Sequence, residues 1–201
     1  MGNGGIIGNG RTGHGRARVR SRAIGCLFFL GFGALWIYTG LMQTHHRSRA
    51  ALLSAGAVCA VLLAMSLLLL RRANGLPAGP GNTEDELRAK RMFAAVNIIQ
   101  WVSIGTALVV LQMLSLPEYV VPAIAIIVGL HLFPLAGSFH HRQHYVTGTL
   151  LLVWPLGCLA MVPRERVSGV TALGVGSIVL ASAFVTLWKN LGVKPLAKAG
   201  A

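Results

Sequence analysis

The 201-residue sequence predicts an all-α fold, a polytopic membrane bundle of six transmembrane helices with both chain ends in the cytoplasm. Three observations lead there. First, six long apolar runs can be read, at about 23–42, 51–70, 93–116, 119–136, 146–162 and 168–188. A helix rises about 1.5 Å per residue, so roughly 20 residues cross a hydrocarbon core of about 30 Å. Second, only 11% of the residues are charged, against about a quarter in a soluble domain. The five acids (Glu84, Asp85, Glu86, Glu118 and Glu165) all fall between the runs. Third, with both tails inside, 14 Lys and Arg lie on the cytoplasmic side and 4 on the other. That asymmetry is the positive-inside pattern, and it independently supports an even number of spans. The alternative spanning structure, a closed β-barrel, would show short strands of alternating polarity. Val61-Leu62-Leu63-Ala64-Met65-Ser66-Leu67-Leu68 does not alternate.

The net charge of +13 is therefore explained by orientation rather than by a nucleic-acid partner. The partner expected for the basic tails is anionic lipid headgroups at the bilayer surface, at about 1 kcal/mol per charge. Residues 1–22 hold seven glycines and five arginines and read as a disordered basic tail. Gly8-Asn9-Gly10-Arg11-Thr12-Gly13 matches a dinucleotide fingerprint by letter only, because no strand precedes it. Met1-Gly2 followed by Ile6 lacks the Ser or Thr of a myristoylation signal. The run at 23–42 is too long for the core of a signal peptide and reads as the first span.

Along that span Gly25, Gly31, Gly33 and Gly40 keep the helix surface thin, and Trp36 and Tyr38 suit the outer interface. The second span offers Gly56, Ala60 and Ala64 four residues apart, a spacing that lets two helix backbones approach closely. The connection 71–92 is rich in Gly and Pro before Thr83, which reads as an N-cap with Glu86 at the capping-box position. The third span is the most polar, with Asn97, Gln100 and Ser103 on one face. The fourth and fifth runs are near the lower length limit of about 17 residues and must stand steeply or be buried among their neighbours. The sixth carries Gly169, Ala172, Gly174, Gly176, Ser177 and Ala181, which predict a tight helix contact. Residues 189–201 form a short cytoplasmic tail. Cys26, Cys59 and Cys158 lie in three different runs and read as small packing residues.

Chemistry concentrates around the fourth run. His131 is the one histidine inside an apolar run, just before Pro134, which leaves the Leu130 carbonyl without its usual helical donor. A polar group in hydrocarbon needs a partner, so His131 should face the bundle, with Asn97 or Gln100 as its neighbour. Tyr145 completes the set of polar-site candidates with His131, Asn97, Gln100 and Ser103. His140, His141 and His144 form a second cluster. His140 and His144 have the four-residue spacing of paired metal ligands. No carboxylate or cysteine lies close in sequence to complete a site, so a solvated basic turn is the preferred reading.

The absences narrow the function. No acid lies within a span, which removes the usual proton or sodium carrier of a secondary transporter. No HExxH pair, nucleotide loop or Ser-His-Asp arrangement sits in a plausible context, so no catalytic residue and no cofactor is assigned. The favoured reading is an accessory or structural membrane protein that associates into a homo-oligomer through its helices. The rival is a small-solute transporter or channel lined by His131 and the third span. An intramembrane enzyme or metal binder comes third.

Gly129-Leu130-His131-Leu132-Phe133-Pro134-Leu135-Ala136, followed by Tyr145-Val146-Thr147-Gly148, resembles a signature of small bacterial integral membrane proteins of unknown function. Those proteins carry a similar Gly-Leu-His-Phe-x-Pro-Leu-Ala and Tyr-x-x-Thr-Gly pattern. The resemblance covers residues 129–148, and the other spans only by hydropathy. It implies a bacterial inner membrane and brings no activity. His140, His141 and His144 are not part of the pattern.

Overall fold

A computed structural model describes residues 10–44, 48–75, 83–139 and 142–192. They fold as α1 (Gly10–Gln43), α2 (Arg49–Asn74), α3 (Thr83–Met113), α4 (Val120–Phe139), α5 (Arg142–Met161) and α6 (Arg164–Leu191). A single 3-10 turn, Pro117–Tyr119, precedes α4. Six helical stretches are long and apolar enough to span a membrane: Val19–Gln43, Arg49–Asn74, Arg91–Met113, Pro117–Gly137 (the 3-10 turn with α4), Gln143–Met161 and Arg164–Leu191.

Two boundaries differ from expectation. α1 begins at Gly10 rather than at 23, so residues 10–22 are helical and not a disordered tail. Arg and Ala are strong helix formers, and the buried face starts early: Val19 packs against the core and Ala23 is fully buried. α3 starts at Thr83, about two turns before its apolar stretch; Thr83 is its first helical residue rather than the residue before it. Its far end closes with Ser115 at φ 56, Leu116 N–H bonded to the Leu111 carbonyl and Ser115 N–H to that of Gln112. This is a Schellman ending, built on a serine where glycine is the usual residue.

α6 organises the bundle. It packs against α1, α2, α4 and α5, whereas α3 meets only α4 and the 3-10 turn. α1 crosses α6 where glycines remove bulk. A Cβ on Gly176 would lie 2.8 Å from the Ile37 backbone nitrogen, and one on Gly40 2.8 Å from that of Leu173. Gly169 presses against Thr44 in the same seam. Of the other small residues on α6, Ala172 is buried in the core and Gly174 lies under the Trp154 ring, but Ser177 and Ala181 are exposed. α4 and α5 meet at Gly129 and Gly148, each facing the other's carbonyl at 3.0–3.1 Å from its would-be Cβ. Gly129 and Gly148 thus let the two helices pack as a close hairpin.

Two apolar clusters fill the interior. One joins Trp36, Val121, Ala125, Leu132, Leu151, Ala172, Val175 and Val179. The other joins Ala23, Cys26, Leu30, Leu62, Leu69, Leu180 and Leu187. Trp36 is thus a core residue, 8% exposed, not an interface anchor; Tyr38 alone stays at the surface. The small stripe on α2 is also not used internally. Gly56, Ala60 and Ala64 are exposed, and α2 buries Leu62, Ser66, Leu69 and Ala73 instead.

Candidate functional site

The outer helix faces are apolar, and Ser66, Gln100, Thr147, Thr171 and Ser182 are turned inward among the buried apolar residues, as solvation by lipid demands. On α3, Ile98 is 64% and Trp101 61% exposed, but Gln100 only 9%. Asn97 and Ser103 are half-buried beside it. α4 is the helix that covers this face, so the polar stripe read from the sequence does point at the run carrying His131.

His131 is half-buried and hydrogen-bonds to the backbone of Val96, one residue before Asn97. The expected neighbour on α3 is therefore at the right depth but is main chain, not an amide side chain. The Nδ1 atom of His131 is buried with no hydrogen-bond partner. Tyr145 is outside this seam. It is 43% exposed, and its ring stacks edge-on to Phe133 at 5.9 Å. Gly137 approaches its hydroxyl. His140 and His141 lie outside the described residues. His144 is half-buried on α5, 5.8 Å from the Phe29 ring of α1. Among the described residues no three His, Cys, Asp or Glu side chains come together as a metal site.

A larger polar assembly joins α1, α5 and α6 at the end of the bundle where α5 begins and α6 ends. Gln143 Nε2 donates to the Ser182 carbonyl at 2.7 Å and to its hydroxyl at 3.3 Å. Thr147 Oγ1 donates to the Gln143 carbonyl at 3.0 Å, so its 2.8 Å contact with Ser182 Oγ uses the serine proton. One turn on, Thr186 Oγ1 donates to the Ser182 carbonyl, and Asn190 Nδ2 to that of Thr186. Arg22 of α1 then donates to Asn190 Oδ1 at 2.7 Å. Arg72 of α2 reaches the Leu191 carbonyl at 3.0 Å. Two guanidinium groups thereby complement the negative end of the α6 dipole.

Sequence reasoning passed over this assembly. Its signal was the four-residue repeat Ser182, Thr186 and Asn190 on α6, hidden because hydroxyls are ordinary in membrane helices. Further along the same helix, Thr171 is 0% exposed and its hydroxyl has no partner. A buried unsatisfied donor costs about 1–3 kcal/mol. A groove of about 200 Å³ lined by Phe184, Val185, Trp188 and Lys189 lies on the exposed face of α6, away from these groups.

The Thr147–Ser182 contact should be stabilising but modest. A double-mutant cycle of Thr147→Val and Ser182→Ala, read by unfolding in detergent, is expected to give a coupling of about 0.6–1.7 kcal/mol. A coupling of zero would mean that the two hydroxyls are independently satisfied.

The fold and its inward-turned polar faces define a six-span helical membrane protein. Comparison with known proteins adds no relative: no family model, no curated protein and no solved structure matches the chain.

Proposed function

We propose that the chain is a multi-pass protein of the bacterial inner membrane, with both ends cytoplasmic, acting as an accessory or structural component by self-association. The location rests on the charge asymmetry between connections and on the resemblance of residues 129–148 to small bacterial membrane proteins. The basic residues near the two ends meet anionic headgroups of the inner leaflet.

One observation carries the assembly reading. The Gly56, Ala60 and Ala64 stripe of α2 is left exposed while the helix buries a different face. Small residues four apart allow two helices to pack backbone to backbone, and in lipid such close packing is a main source of association. A second copy presenting the same stripe fits it. Donor and acceptor-labelled protein in vesicles should show energy transfer that falls on lipid dilution, and Gly56→Leu with Ala60→Leu should weaken it at least about tenfold, or about 1.4 kcal/mol. Transfer at background level for the native protein would reject the reading. Reporter fusions within 76–81 should be active on the cytoplasmic side only; periplasmic activity would reverse the orientation.

A second reading, passage of a small polar solute, is favoured by the buried Nδ1 of His131 beside the Asn97, Gln100 and Ser103 face. A polar atom without a partner inside a bilayer is a candidate ligand contact.

A further inference from the structure

One face of α6 is layered. Ser168, Thr171, Val175, Val179, Ser182, Thr186 and Asn190 follow in steps of three or four, and all seven are buried or half-buried. Such steps keep side chains on one side of a helix. The order is polar, apolar, polar. At the end where α6 begins, Ser168 Oγ donates to the Glu118 carbonyl at 2.7 Å. The Thr171 hydroxyl follows, wholly buried and without a partner. Val175 and Val179 come next, inside the cluster with Trp36, Ala125, Leu132 and Leu151. The polar run then resumes as the Ser182–Thr186–Asn190 ladder with Gln143 and Thr147 from α5.

We propose that this face is a gated path for small uncharged hydroxylic molecules, with water and glycerol as the working probes. It is closed in this conformation by the Val175–Val179 layer. The proposal rests on the solute-passage reading but moves the path from the α3–α4 seam to α6. Hydroxyls line both polar stretches, with the Gln143 and Asn190 amides in the second, and no acid or lysine interrupts the face. Such a lining exchanges hydrogen bonds with neutral polar solutes and offers a cation no acidic side chain to balance its charge. Arg22, bonded to Asn190, places a fixed positive charge at one mouth, which disfavours cations. A hydrophobic constriction between two polar stretches gates by excluding water. The partnerless Thr171 hydroxyl marks the far polar stretch as a stop able to accept a visitor's hydrogen bond.

The test is stopped-flow light scattering of vesicles holding the full-length protein, under sucrose and glycerol gradients. Wild-type vesicles should match protein-free ones. Val175→Thr with Val179→Thr keeps side-chain volume but makes the layer polar. It should raise water or glycerol permeability about tenfold, equivalent to about 1.4 kcal/mol off the barrier. Adding Thr171→Val or Ser182→Ala should lower the raised flux. Val175→Ala with Val179→Ala is a second way to open the layer, should the threonine pair not assemble. Opened variants that melt like the wild type yet stay at wild-type permeability overturn the α6 path. If flux is instead present in the wild type, unaffected at α6 and abolished by His131→Leu, passage stands and this path falls. If no variant conducts either probe, both fall.

Discussion

Gly176→Leu is expected to be the most damaging single change in the chain, because it strikes the seam between α1 and α6. Its Cβ alone would stand 2.8 Å from the Ile37 backbone nitrogen, which cannot swing aside as the equally close Ile37 side chain could. The helices must separate, and the buried faces on both sides lose contact along the whole crossing. Overpacking of this kind costs about 3 kcal/mol or more where backbone blocks relaxation. Thermal unfolding in detergent, followed by size exclusion, should show loss of the monodisperse species. Gly31→Leu on α1 is the control, since nothing lies within 4 Å of that position. If both variants melt alike, the α1–α6 packing described above is wrong.

The α4–α5 hairpin should be almost as sensitive. A Cβ at Gly148 would meet the Gly129 carbonyl at 3.0 Å and the Phe133 ring at 3.1 Å. Gly148→Leu therefore pries the hairpin open and displaces Thr147 from Ser182, one residue away. We expect a loss of about 2–3 kcal/mol, from overpacking together with the broken polar contact. Gly157→Leu on the same helix, with open space around it, should be neutral or slightly stabilising. A native-like melting temperature for Gly148→Leu would show that the two glycines do not set the hairpin.

Much of the bundle was legible before any coordinates. Six spans emerge near their expected limits because hydrophobic length is a property of each segment alone. The inward polar face of α3 was equally readable, since three polar residues at helical spacing have only one direction that avoids lipid. His131 reached α3 at the expected depth, but found the Val96 main chain. Contacts between helices are decided by their relative position, and sequence spacing carries no such distance. Where reading failed, the failures share a cause. Trp36 suits an interface by type but is claimed by the core. Gly56, Ala60 and Ala64 suit close packing, but α1 and α6 take the opposite face of α2.

From the sequence alone came the fold class, the number and limits of the membrane-spanning helices, and which residues are too polar to meet lipid. Solvation decides these, one segment at a time. Only the tertiary structure decided that the first and last spans lie together, that Gly129 opposes Gly148, and that Arg22, Gln143, Thr147, Ser182, Thr186 and Asn190 join into one hydrogen-bonded ladder. Helices in lipid choose partners by shape and a few hydrogen bonds, and those depend on two surfaces at once.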